Sequence, residues 1–363
     1  MPGPYDLSPE QLAALLPGEP AYRARQVWDG LYRRLAPVTE LTDLPQELRQ
    51  RLVTEPELQP ALTEAARSVA DRGQTVKWGW KLHDGAVIET VLMHYPDRAT
   101  VCLSSQAGCA MGCSFCATGQ AGFTRHLTAG EMVEQVVAAI REARPRRVGN
   151  VVFMGMGEPL ANYGPTWTAV ERLHHDLGFS ARHLTISTVG LVPGIRRLAK
   201  EALPVNLAVS LHAANDQLRN HLVPINRRWP LAAVVAACHE YRAAKGRRLS
   251  FEWALIDGVN DRPSDARELA ALVIPLGAHV NLIPLNPTPG YGASGSPAAR
   301  VGEFRDLLIA EGVNATVRRN RGTDIDAACG QLAGAVTGPG EGSVAGLRAR
   351  PPMRPVTRPR VTN

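Results

Sequence analysis

From residue 99 onward the sequence alternates short apolar runs with helix-forming stretches, and it does so six times. The runs are residues 99–104, 150–154, 183–187, 206–210, 249–255 and 279–284. They are too short for helices, and each is followed by enough chain to form one. Consecutive strand–helix units pair their strands in parallel, because the intervening helix returns the chain to the edge from which it started. An α/β fold with a parallel sheet is therefore predicted. Its first helix is clearly marked: Thr128 and Glu131 form a capping box ahead of the apolar face in MVEQVVAAI.

Before this alternation the pattern differs. Residues 1–70 read as a small helical accessory domain. Ser8 is placed to cap a helix that begins at Pro9, and Val27, Leu31 and Leu35 share one face with arginines opposite. Residues 71–98 read as a β-hairpin extension. TVKWGWKLHDGAVIETVLMHY alternates on both sides of Asp84-Gly85, and Glu89 falls in its second strand. From sequence alone Glu89 could equally be an edge-strand carboxylate facing water. After residue 334 the chain turns Gly-, Pro- and Arg-rich, and 335–363 are expected to be a disordered basic tail.

The chemistry-bearing stretch is CLSSQAGCAMGCSFCATGQAGF, residues 102–123. Half of the six cysteines, Cys109, Cys113 and Cys116, crowd into eight of its positions at x3 and x2 spacing. Thiolates so close together can converge on one soft metal centre. Three of them suit a [4Fe–4S] cluster with one iron left open. A zinc site closed by a distant residue, or buried cysteines holding no metal, fit the spacing as well. No run of about eighteen apolar residues and no basic-then-apolar leader occurs, so a cytoplasmic protein without membrane contact is expected. A net charge of +6 is compatible with a nucleic-acid partner.

The run Cys109-x3-Cys113-x2-Cys116 resembles the signature of the radical S-adenosylmethionine (SAM) enzymes. More narrowly, SSQAGCAMGCSFCATGQAGF is similar to the dual-specificity 23S rRNA/tRNA adenine-C2 methyltransferases, and further matches extend over roughly residues 20–335. The resemblance implies a partial (β/α)6 barrel over 99–334, with chemistry at the C-terminal ends of its strands. It implies one [4Fe–4S] cluster on Cys109, Cys113 and Cys116, and two molecules of SAM consumed per methylation. The SAM contacts it implies are Gly157 and Glu158 in FMGMGEP, Ser187 in STVG, Ser210, Leu211 and His212 in SLH, and Asn286 in NLIPLNP. Val189 departs from a second serine common in the family.

The same resemblance assigns the remaining roles. Cys329, in RGTDIDAACGQLAG, would receive a methyl group from one SAM. A second SAM would be cleaved to a 5′-deoxyadenosyl radical that takes hydrogen from that S-methyl group, and the resulting carbon radical would add to C2 of adenine. Glu89 would accept the C2 proton, and disulfide formation between Cys102 and Cys329 would free the product. Implied partners are 23S rRNA and tRNA, gripped partly by the N-terminal domain, and a flavodoxin- or ferredoxin-like electron donor. The protein is expected to be a monomer. Cys238, on the apolar stretch AVVAACHEY, reads as a core residue. Two rival readings are a related C8-adenine methyltransferase conferring antibiotic resistance and a non-catalytic zinc RNA-binding protein.

Overall fold

In the computed structural model of the protein, residues 3–288, 290–318, 321–328 and 330–333 are described. Cys329 and the tail from residue 335 fall outside them. Among the described residues ten strands form one sheet whose order follows the chain. Its antiparallel part comprises β1 (Leu62–Ala70), β2 (Thr75–Leu82) and β3 (Val87–His94), which pairs with β4 (Ala99–Cys102). A separate two-stranded ribbon of β5 (Gln106–Gly108) and β6 (Phe123–His126) follows. From β4 the sheet continues in parallel through β7 (Val148–Phe153), β8 (Leu184–Thr188), β9 (Asn206–Ser210), β10 (Leu249–Leu255), β11 (His279–Pro284) and β12 (Asn314–Val317). The six expected barrel strands are present, and β12 extends the parallel run by one.

The helices are α1 (Pro9–Ala14), α2 (Tyr22–Asp29) and α3 (Gln46–Val53) before the sheet, and α4 (Ala117–Ala121) after the cysteines. Between and beyond the parallel strands lie α5 (Ala129–Ala143), α6 (Tyr163–His175), α7 (Val192–Leu198), α8 (Asp216–Leu222), α9 (Leu231–Lys245), α10 (Pro263–Val273) and α11 (Ala298–Ala310). Strands such as β9 and β10 are buried along most of their length because helices cover the sheet.

The hairpin forms at the expected turn, with Gly85 at φ +84°. One expectation fails within the N-terminal segment: residues 62–70 are not helical but form β1. LTEAARSVA contains helix-favouring Ala and Glu, but β2 offers an open edge, and pairing from Leu62↔Leu82 to Ala70↔Thr75 overrides local preference. The new edge strand is blunted by a register shift between Glu64 and Ala66 and by Arg67, which pairs with Glu142. Flanked by β2 on one side and β4 on the other, β3 is an interior strand, so Glu89 is 3% exposed and does not face water.

The N-terminal helices share one continuous apolar core with the sheet, running from Tyr5 and Leu12 through Val27 and Leu52 to Ile88 and Phe153. Polar contacts reinforce this. Asp6 accepts from the Gly130 N–H at 2.6 Å and from Thr128 Oγ1 at 2.9 Å, adding a second cap to the Thr128–Glu131 box of α5. Gly130 has to be glycine here, because a Cβ would lie 2.4 Å from the Asp6 carboxyl carbon. Arg172 on α6 donates to the carbonyls of Tyr5 and Asp6.

Candidate active site

The loop that carries the cysteines is held from three sides. At its start, the buried amide of Gln135 on α5 accepts from the Ser104 N–H at 2.9 Å and donates to the Ser104 carbonyl at 3.0 Å. In the β5–β6 ribbon, Gly108 at φ +72° lets the Cys109 N–H reach the Gly122 carbonyl at 2.7 Å; a Cβ there would collide with that oxygen. Arg125 on β6 binds Glu131 in two-pronged fashion, at 2.8 and 2.7 Å, and also Asp84 in the hairpin turn. Beyond the last cysteine, Gln120 on α4 donates to the Ser114 carbonyl at 2.8 Å and to Thr288 Oγ1 at 3.1 Å.

Cys109, Cys113 and Cys116 line a single cavity of about 160 Å³. Burial pushes the Cys109 thiol up to about 12 and raises Cys113 well above its ordinary value. Buried thiols of this kind give up their protons to a metal centre rather than to water. No three His, Cys, Asp or Glu among the described residues cluster closely enough to hold a single ion. The [4Fe–4S] cube takes its thiolates on different irons, and three thiols spread over one cavity wall fit it.

The opposite walls come from strand ends. Gly157 and Glu158 follow β7, Ser187 ends β8, Ser210 ends β9 with His212 just beyond, and Asn286 follows β11; all face the same cavity. Gly157 sits at φ +100°, where a Cβ would stand 2.5 Å from that of Gln106. Glu158 is fully enclosed, and its oxygens accept the N–H groups of Leu160 at 3.1 Å and Val189 at 2.8 Å. Burial raises its pKa to about 7 in spite of these bonds. Val189 contributes through its backbone N–H, so this bond does not depend on the side chain at that position. His212 accepts the Ala254 N–H on Nδ1 at 2.9 Å, and burial lowers its pKa to about 3. It is therefore neutral, with its proton on Nε2.

Leu211 is placed differently from its neighbours. Its side chain is fully buried in the main core and does not line the cavity. Cys238 is likewise a core residue of α9. Glu89 and Cys102 do not line the cavity; they belong to β3 and β4, which pair with each other in antiparallel fashion. Cys102 on β4 is directly opposite Val91 on β3, and Val91 is directly opposite Lys77 on β2. Directly paired residues point to one side of a sheet, and so do residues two apart on a strand. Lys77, Cys102 and Glu89 therefore share a face. Lys77 Nζ stands 3.6 Å from Glu89 Oε1. Burial raises the Glu89 pKa to about 7, with the Lys77 charge opposing the shift.

Three further residues belong to this site and were missed from sequence. Glu252 on β10 and Arg318 after β12 line the cavity; Glu252 accepts from Ser250 Oγ at 3.2 Å and from Asn281 Nδ2 at 3.0 Å. A lone carboxylate in the mostly apolar LSFEWAL was the available signal. The third is Arg219, fully buried on α8. It donates to the carbonyls of Val189 at 2.6 Å, Ser210 at 3.2 Å and Leu211 at 3.0 Å, clamping the ends of β8 and β9 together. Cys329 lies outside the described residues, but Gly330 and Leu332, which follow it, form part of the cavity wall.

The Radical SAM superfamily profile matches residues 103–270. A probable dual-specificity RNA methyltransferase RlmN from Roseiflexus sp. (strain RS-1) is 48% identical, covering 92% of this chain and 97% of that protein. One of the same description from Parafrankia sp. (strain EAN1pec) is 55% identical over 90% of each. The crystal structure of a radical SAM methyltransferase from Sphaerobacter thermophilus superposes with a TM-score of 0.89 at 52% identity, covering 92% of this chain and all of that one.

Proposed function

The chain belongs to the dual-specificity RNA methyltransferases named RlmN, within the radical SAM superfamily, and from that premise we propose that it methylates C2 of a specific adenine in 23S rRNA and in the anticodon loop of tRNAs through an S-methyl intermediate on Cys329. Its cofactors are a [4Fe–4S] cluster and SAM. One observation carries the reading: the three clustered cysteines, the ends of β7, β8, β9 and β11, and the residues just after Cys329 all border one enclosed space. Cofactor, methyl donor and methyl carrier are thereby within reach of one another.

Cys109, Cys113 and Cys116 would hold the cluster, and Glu158, Ser187, Ser210, His212 and Asn286 would orient SAM. When bound, the cluster supplies the electron that divides SAM homolytically, which makes an unreactive methyl group able to attack an electron-poor ring carbon. The chain's own residues keep that chemistry dry and directed. Glu158 offers lone pairs to the SAM ammonium, and neutral His212 offers an N–H. Glu89 takes the C2 proton, for which a pKa near 7 suits a general base. Cys102 would then attack the Cys329 sulfur of the thioether: the sulfur–sulfur bond forms as the sulfur–carbon bond breaks, the freed exocyclic carbon takes a proton to become the methyl group, and the adduct's unpaired electron returns to the electron carrier.

The arginines of residues 1–70 would grip RNA phosphates, giving affinity that falls steeply with salt. A flavodoxin- or ferredoxin-like protein would deliver electrons to a monomeric enzyme in the cytoplasm. Among the described residues no helix is long and apolar enough to cross a membrane. The test is mass spectrometry of nucleosides from rRNA and tRNA of cells lacking this protein. Loss of 2-methyladenosine, restored by a plasmid copy, is expected; unchanged levels, or loss of 8-methyladenosine instead, would overturn the reading.

A further inference from the structure

Lysine occurs at only four positions in this arginine-rich chain, and one of them is beside Glu89. Lys77 and Glu89 are set diagonally across β2 and β3. Directly opposite Glu89 is Gly79, whose lack of a side chain leaves the lysine room to lean towards the carboxylate. Lys77 Nζ lies 3.6 Å from Glu89 Oε1 and also donates to the Asp326 carbonyl at 3.4 Å. Both side chains are largely withdrawn from water, at 13% and 4% exposure. Glu89 Oε2 makes no close hydrogen bond, though the Ala333 backbone beyond Cys329 also favours the ionised carboxylate.

Asp326 belongs to the turn that leads into Cys329, and that turn is strapped to the antiparallel part of the sheet. Arg321 donates to the His94 carbonyl at 2.8 Å and stacks over Tyr95, and the Gly322 N–H donates to Asp71 Oδ2 at 3.1 Å. These two ties hold the turn alone. The Lys77 tie holds the turn and the carboxylate together.

We propose that Lys77 is the positioning residue that fixes Glu89 against the turn leading into Cys329, so that the carboxylate is aimed and charged when the methyl-bearing loop is seated. The inference rests on Glu89 as acceptor of the C2 proton. In that step the proton leaves C2 for a Glu89 oxygen, the carboxylate becomes a carboxylic acid, and the C–H electron pair stays on the adenine adduct. The lysine charge favours the carboxylate before transfer and loses its ionic partner after it. The groups that act on Glu89 through their charge are Lys77 from β2, attractive, and Asp326 from the C-terminal turn, repulsive.

The experiment is the pH dependence of RNA methylation by the reconstituted full-length enzyme and its Lys77→Met, Lys77→Arg and Glu89→Gln variants, with the fraction of Cys329 carrying a methyl measured alongside by protein mass spectrometry. For Lys77→Met the acidic limb should move to higher pH by roughly one unit, a tenfold loss below neutrality that recovers in alkali. Methylation of Cys329 should remain unchanged, and Lys77→Arg should restore most of the limb. A Lys77→Met profile that is unaltered, or lowered equally at every pH, while Glu89→Gln is inactive would overturn the positioning role alone. Full activity in Glu89→Gln would overturn the assignment of Glu89, and the inference with it.

Discussion

The backbone N–H of Ala117 donates to the carbonyl of Gly330 over 2.8 Å, joining the residue after Cys116 to the residue after Cys329. Beside it Thr118 Oγ1 donates to the Leu332 carbonyl at 2.5 Å, and Gln331 Nε2 to the Pro287 carbonyl at 3.3 Å. The helix that leaves the cysteine motif and the loop of the methyl carrier are thus one hydrogen-bonded unit, although more than two hundred residues separate them in sequence.

Thr118→Val removes one of these bonds while keeping the shape of the side chain. A buried neutral hydrogen bond is worth about 1 kcal/mol, and leaving the Leu332 carbonyl unsatisfied adds to the loss. RNA methylation should fall roughly fivefold to tenfold, with iron per chain unchanged. Parallel measurement of methylation rate and iron content checks this; a loss of iron would mean that the bond supports the motif instead of the loop.

If Cys109, Cys113 and Cys116 alone hold the cluster, anaerobically purified protein should contain iron and sulfide, and the variant with all three changed to Ala should contain neither. Cys102→Ala and Cys238→Ala should keep both, since Cys102 does not line the cavity and Cys238 lies in the core. Metal and sulfide analysis of these variants decides the matter.

Asp6 offers a test of how firmly the N-terminal segment belongs to the rest. Asp6→Ala strips α5 of two bonds, from Gly130 N–H and Thr128 Oγ1. A lost cap of this kind costs about 1–2 kcal/mol. The melting temperature should drop by a few degrees. An unchanged melting temperature would show the segment to be a loosely held appendage.

The parallel strands were readable from sequence because each is a short apolar run buried on both faces. The cavity was readable because five motifs end five such runs. Other features were not, and each failure has a physical origin. β1 carries helix-favouring residues and exists only because β2 needs a partner, a relation no local window contains. Lys77 and Glu89 are twelve positions apart, and only the register of the β2–β3 hairpin brings them together across a glycine. Arg219 resembles any arginine on a polar helix; its burial follows from the three carbonyls left at the ends of β8 and β9. Leu211 stands between two cavity residues, but the alternation that turns Ser210 and His212 inward turns Leu211 into the core.

If Glu158 holds the SAM ammonium as proposed, SAM affinity depends on pH. Burial holds its pKa near 7, so the carboxylate is mostly protonated at pH 6 and mostly ionised at pH 8. Only the anion attracts the SAM ammonium, so affinity for the reconstituted enzyme should strengthen roughly tenfold across that interval. Glu158→Gln should bind more weakly and lose that pH dependence. Equilibrium binding of labelled SAM at several pH values reads this directly; equal slopes for both proteins would remove Glu158 from the site.

Cys102 and Cys329 should fail in different ways. On the proposed mechanism Cys329 receives and delivers the methyl group, so Cys329→Ala should leave no methyl on the protein and no product. On the same mechanism Cys102 acts only after the new carbon–carbon bond exists, when the thioether joining Cys329 to the adenine has to be broken as a sulfur–sulfur bond forms. Its position suits a late role: it lies in one cross-strand row with Val91 and Lys77, on the face that carries Glu89, and not on the cavity wall. Cys102→Ala should therefore complete the first steps and stall as a covalent protein–RNA adduct. Denaturing electrophoresis after expression should show a slow band for Cys102→Ala that collapses with ribonuclease and is absent from the double variant with Cys329→Ala. Normal turnover by Cys102→Ala without such a band would exclude the two-thiol mechanism for this enzyme.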